Sequence, residues 1–222
     1  MARRKAAGFD AQRGAIRDAA ARLFADAGYA STSVADIAAA CGVSKALLYH
    51  YYRDKEDLLF DIAESYTERL QQIVDEVAGE RLPAVAQLRR LIARFMAEYE
   101  HSAARHRVLV QDVKYLSKTH RARVVARQRA VVDGFAQVVE ELSPAASAAA
   151  LRKPLTMMLF GMINWTFTWF SERGPLRYDD LAPIVADLFI GGLGRLRGLP
   201  SGGASPSARR PRVRAPVMKA MA

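Results

Sequence analysis

The chain has 222 residues, 51% of them hydrophobic and 25% charged, with a formal net charge of +10. That balance suits a soluble globular protein with a real core and argues against both a disordered chain and a membrane protein. The charge is uneven: residues 1–55 carry a net +4, residues 198–222 a net +5 and the stretch between them only +1. Two basic ends on a near-neutral body suit a polyanionic partner such as nucleic acid.

From Asp10 to about Ala27 a helical pattern sets Ile16, Ala20, Leu23 and Phe24 on one face, and Gly28 stops it. Ser33 then caps a short helix, VADIAAAC, which Gly42 ends. Ser44 caps the next, KALLYHYY. Asp54 caps a longer one from Lys55 to about Val77, with Leu58, Leu59, Ile62, Tyr66, Leu70 and Ile73 at helical spacing. Pro83 opens a helix to about His101. A broken segment spans Ala103 to Leu116, and a helix from Arg121 to Leu142 ends before Ser143-Pro144. Two very apolar helices follow, about Ala148 to Glu172 and Tyr178 to Arg195. From Gly198 the composition turns to Gly, Pro, Ser, Ala and Arg, which reads as a disordered tail.

The reading is all-α, about nine helices, in three parts: a head over 1–54, a body over 55–197 and a basic tail over 198–222. Cys41, the only cysteine, rules out an internal disulfide and points to a reducing cytoplasm; among alanines it reads as a small buried hydrophobe. The N-terminus lacks the apolar run of a signal peptide. The most apolar stretch, Leu155 to Phe170, is short for a bilayer and holds Asn164 and two threonines, so no membrane partner is expected.

Val34 to Tyr52 has the makings of a helix-turn-helix. Ala38 is small where a second helix crosses, Gly42 can take the positive φ of the turn, and Ile37, Val43 and Leu48 supply apolar contacts. The stretch STSVADIAAACGVSKALLYHYYRDKEDLL, Ser31 to Leu59, with IRDAAARLFADAGY before it, resembles the DNA-binding signature of the TetR/AcrR family of bacterial transcription regulators.

That resemblance implies a dimer on a palindromic double-stranded operator. It places Thr32 and Ser33 at backbone phosphates, and Lys45 and Ala46 at base edges, with Ser44 as cap. It also places Tyr49, His50 and Tyr51 toward the groove and Lys55 at a phosphate. Tyr52 departs from the phenylalanine common there and reads as core with Leu47 and Leu48. Two alternatives stay open here: Tyr49 packed on the first helix, and His50 as an uninvolved surface histidine.

In the body, Ile184, Val185, Leu188, Phe189 and Leu193 form an apolar stripe, and Gly191-Gly192 permits close helix approach. The resemblance makes these last two helices a homodimer interface. LTMMLFGMINWTFTWF carries large adaptable side chains on all sides, fit for both an interface and a small apolar ligand. With SERGPL after it, the stretch is similar to regulators that respond to acyl-CoA thioesters. The resemblance implies an acyl chain against Phe160, Asn164, Trp165 and Trp169, with CoA phosphates near Arg121, Arg123 and Arg127.

A multidrug or hydrophobic-compound sensor controlling efflux is the alternative, with cationic drugs disfavoured because Leu155 to Ser171 offers no acid. A non-specific DNA-compacting protein would use the basic tail but needs no pocket. No enzyme motif appears, and the four histidines lack metal-ligand spacing, so neither metal nor cofactor is expected.

Overall fold

The structure is a computed structural model describing residues 2–143, 151–170 and 174–196. Among these residues the regular elements are α-helices and one 3-10 turn, Val113–Tyr115. The helices are α1 Ala2–Ala27, α2 Val34–Ala40, α3 Lys45–Tyr51, α4 Lys55–Gly79 and α5 Ala84–His101. They continue with α6 Ala103–Gln111, α7 Lys118–Leu142, α8 Arg152–Asn164, α9 Thr166–Trp169 and α10 Tyr178–Leu193. The tail from Gly198 lies outside the described residues.

The predicted stops and starts have local causes. Gly28 and Gly42 take φ of +85° and +65°, which no β-carbon has to tolerate. Ser33 and Asp36 form a reciprocal capping box on α2, and Ser44 and Asp54 each accept a backbone N–H at the starts of α3 and α4. α1 begins well before Asp10. α7 begins at Lys118 because the Ser117 hydroxyl caps the His120 N–H.

One expected helix is broken. Part of the span from Ala148 to Glu172 falls outside the described residues, and the rest divides at Trp165 into α8 and α9. The Thr166 and Thr168 hydroxyls donate to the carbonyls of Ile163 and Trp165 at 2.8 and 2.7 Å, competing with the helical ladder.

α4 joins the two halves of the molecule. It packs on α1 as well as on α5, α6 and α7. Phe95 meets Phe135 and Phe160 edge-on in the body core, and those two rings meet at a tilt. On α7, Gly134 lies where a β-carbon would overlap Cγ1 of Val74 on α4, so these two helices touch with nothing between them. α10 lies against α5, with Arg89 paired to Asp187 on the outside.

Candidate nucleic-acid interface and a buried polar cluster

The head presents α3 on a fully buried base. Leu48 and the Tyr52 ring are buried, whereas Lys45, Ala46, Tyr49 and His50 are exposed on its outer side. Leu47, expected in the core, is 39% exposed, because a seven-residue helix leaning on α1 and α2 can bury only one edge. Tyr49 does not pack into the core. Tyr51 is half-buried, its ring 4.6 Å from Phe9 of α1, and His50 meets Phe9 edge-on at 6.0 Å. Cys41 is half-buried and burial raises its thiol pKa, in keeping with packing rather than reactivity.

The phosphate candidates separate. Ser33 and Ser44 lie at the surface, each using its oxygen as a helix cap. Thr32 is buried, and its hydroxyl donates inward to the Gly28 carbonyl at 2.9 Å. The Lys55 ammonium donates to the carbonyls of Tyr29 and Thr32 at 2.7 and 2.9 Å and lies 4.2 Å from the Tyr29 ring. It thus closes the loop that follows α1, with one N–H left for an outside acceptor.

The Tyr52 hydroxyl donates to Asp61 at 2.7 Å, and Asp61 also pairs with Arg13 and Arg17 of α1. Burial first, then Asp61, push the Tyr52 phenol pKa up. Asp61 was not singled out in the sequence. An acid seven residues into α4, opposite two α1 arginines, becomes a hub only once the three helices meet.

In the body the structure scatters the expected ligand residues. Phe160 is in the aromatic core, while Trp165 and Trp169 are exposed because the helix ends at Asn164. Arg123 and Arg127 both bind Glu64 of α4 at 3.1 Å, and Arg121 is exposed. A groove of about 510 Å³ opens instead between α7 and α8, with Val125, Arg129, Val132, Arg152 and Met157 among its walls.

Asn164 belongs to a cluster drawn from four helices. Tyr99 of α5 donates to its side-chain oxygen at 2.7 Å, and His106 Nε2 of α6 lies 3.3 Å from its carbonyl. The His106 ring stacks on Tyr99 at 3.9 Å and meets Tyr66 of α4 edge-on at 6.1 Å. Burial lowers the His106 pKa to about 4 against the partial support of the Asn164 carbonyl, so the ring is neutral near pH 7. Tyr66 stood in the α4 apolar stripe from the start. A hydroxyl on an otherwise apolar face was the available signal.

His106 is flanked by two residues that reach the head. Arg105 pairs with Asp18 of α1, and Arg107 donates to the Ala25 carbonyl at 3.1 Å and lies 3.7 Å from Asp26. A second junction joins Glu56 to α7. Burial would raise its carboxyl pKa, but the Ser117 N–H and His120 outweigh that and hold it low. Phe60 stacks on the same His120 ring at 3.9 Å.

Among the described residues no helix is long and apolar enough to cross a membrane, and no group of His, Cys, Asp or Glu could hold a metal. On α10, Ile184, Leu188, Gly191 and Gly192 are exposed, with Leu188 at 64%. Val185 and Phe189 instead turn inward to the body core, since an apolar stripe this wide is shared between two sides. α8 adds exposed Met157 and Met158, and Trp165 is exposed just past its end.

Two family descriptions match the chain: "Bacterial regulatory proteins, tetR family" over residues 16–62, and "Tetracyclin repressor-like, C-terminal domain" over residues 81–193. The HTH-type transcriptional repressor KstR2 of Mycolicibacterium smegmatis is 26% identical, covering 81% of this chain and 89% of the relative. A TetR-family transcriptional regulator from Bordetella parapertussis is 33% identical over 84% of this chain and 97% of its own, with a TM-score of 0.78. AibR, solved with isovaleryl coenzyme A and operator DNA, is 28% identical over 82% and 97%, with a TM-score of 0.68.

Proposed function

Because the chain belongs to the TetR family, whose members are transcriptional regulators and not enzymes, we propose that it binds a palindromic operator as a homodimer and that an apolar effector releases it. We take residues 1–54 as the DNA-reading head and 55–197 as the body that pairs and senses. The observation that carries the reading is α3 itself. Its Lys45, Ala46, Tyr49 and His50 face outward from a base anchored by Leu48 and Tyr52.

Lys45 and Ala46 then meet base edges, while Ser33, Ser44, Tyr49 and His50 meet phosphates and groove walls. Tyr51 braces α3 against Phe9. Lys55 offers its remaining N–H to a phosphate, and Thr32, its hydroxyl spent on Gly28, holds the loop. Pairing two heads at the 34–36 Å spacing of successive major grooves calls for a two-fold interface. The exposed Ile184, Leu188, Gly191 and Gly192 of α10, with Met157 and Met158 of α8 and Trp165 after it, supply an apolar one.

The proposed effector is an acyl-CoA thioester, supported by the likeness to AibR and by the Met-rich α8 with Trp165 and Trp169 after it. α6 offers the connection to the head, because His106 faces the body interior while Arg105 and Arg107 hold α1. Any ligand that moves α6 therefore works against the α1 position, and DNA must weaken that ligand by the same factor.

A footprint on genomic fragments should show one palindrome with half-sites a helical turn apart, and isovaleryl-CoA, but not CoA alone, should release it. Unchanged operator affinity at saturating isovaleryl-CoA would remove this effector assignment. A featureless footprint would select the DNA-compacting alternative. The protein acts in the cytoplasm on this reading, beside the DNA it controls.

A further inference from the structure

Tyr66 is 1% exposed and its hydroxyl, the only polar group of its side chain, has no hydrogen-bond partner. His106 is 2% exposed, and its Nδ1 is likewise buried and unpaired. Buried polar atoms are paired in the great majority of cases, and an unpaired one costs roughly 1–3 kcal/mol. Other unpaired buried atoms in the chain, such as Glu64 Oε2 and Gln71 Oε1, belong to groups whose remaining atoms are bonded. Tyr66 has no such second atom, and its ring is in edge contact with the ring that carries the other vacancy.

The chemistry of the vacancy can be read from the partners. The Asn164 carbonyl can only accept, so His106 Nε2, facing it, carries the ring hydrogen. Nδ1 is then a bare acceptor and needs a donor. The Tyr66 hydroxyl can donate to an oxygen.

Among the described residues no charge stands ready for an ionic ligand. Glu98 is bound to Ser102 and Arg69, and Arg105 is turned to Asp18. A buried ion here would lack a counter-charge. A neutral group with both an oxygen and a hydrogen to give matches what is missing.

The cover over this cluster is thin. Phe167, on the single turn of α9, lies edge-on 5.6 Å from His106 and stacks with the exposed Trp165 at 6.0 Å. It is half-buried, and its displacement would uncover the side of the His106 ring that it touches.

We propose that Tyr66 and His106 form a binding site for a neutral hydroxyl group borne by an apolar molecule, reached by displacing Phe167. The inference rests on the effector-sensing reading of the body and narrows it. The buried part of the effector carries a hydroxyl that an isovaleryl group lacks, so isovaleryl-CoA probes the class and the alcohol probes this site.

The free protein supplies the first test. Tyr66→Phe removes an unpaired hydroxyl and should leave the melting temperature unchanged or raise it. A fall of about 3 °C or more would mean that the hydroxyl already has a partner, such as a trapped water, and would overturn the proposal.

The second test compares cyclohexanol with methylcyclohexane at equal concentration on the full chain. Cyclohexanol should raise the melting temperature by about 2 °C more than the hydrocarbon in wild type, and the excess should vanish in Tyr66→Phe. Equal shifts in wild type, zero included, or an excess that survives in Tyr66→Phe, would overturn the site. A preference for cyclohexanol in a protein that ignores isovaleryl-CoA would keep this site and dismiss only the acyl-CoA reading.

Discussion

The surroundings of α3 in the head and of α6 in the body treat certain polar side chains in opposite ways. Around α3, the Thr32 hydroxyl, the Tyr52 hydroxyl and the Lys55 ammonium all close on partners within the chain. Around α6, Tyr66 and one nitrogen of His106 are left without any. A surface that must offer a fixed outline to a duplex gains from having its internal bonds complete beforehand. On the effector-sensing reading proposed above, an interior that responds to a small molecule gains from keeping some unmade, since a ligand shifts an equilibrium only through differential interaction. Rigidity and readiness thus occupy neighbouring parts of one chain, joined by α4 and α6.

The contrast can be broken first at the base of the head. Leu48→Ala, at a buried site, should cost about 2–5 kcal/mol and abolish operator binding, read by thermal melting and gel shift. Survival of both would mean that α3 does not depend on its buried anchor.

In the body, pH is the sharper tool. His106 stays neutral in the native protein down to about pH 4, whereas in the unfolded chain it takes a proton near 6.5. Its contribution is therefore flat above pH 7 and falls with acid between those values, by about 2 kcal/mol at pH 5. Urea midpoints at pH 7.5 and 5 should show that loss, and His106→Asn should reduce it.

Lys55→Ala should cost about 1–2 kcal/mol of stability through two orphaned carbonyls, and flatten the salt dependence of DNA binding by about one phosphate. Unchanged stability would return Lys55 to a purely external role. Smallest of all, Asp61→Asn keeps an acceptor for Tyr52 while weakening the pairs to Arg13 and Arg17. A loss of about 0.5 kcal/mol in chemical denaturation is expected, given how exposed Arg13 is.

Much of the head could be read from the chain because its determinants are local. Ser33, Gly42, Ser44 and Asp54 each act on their own few neighbours, and the caps and turns stand where those residues predict. Thr32 and Lys55 were less legible, since their partners are backbone carbonyls, and carbonyls leave no mark in a sequence. The α10 stripe was visible as apolar periodicity, but periodicity cannot say that Val185 and Phe189 face inward while Ile184 and Leu188 face out. The break at Trp165 depends on two threonine hydroxyls in a stretch otherwise suited to helix. Least legible was the group around Asn164. Tyr66, Tyr99 and His106 reach it from three separate helices, and His106 was read only as one of four histidines without metal-ligand spacing.

Gly134 has a mechanical consequence. Where it meets Val74, α4 and α7 are in direct contact, while the other end of α4 carries the head. Lys55 stands 19 residues from Val74, about 28 Å along the helix axis at 1.5 Å per residue. That contact is the natural fulcrum of a long arm. A tilt of only about 5° around it carries the head end some 2.5 Å sideways, on the order of the shift that separates one base-pair step from the next.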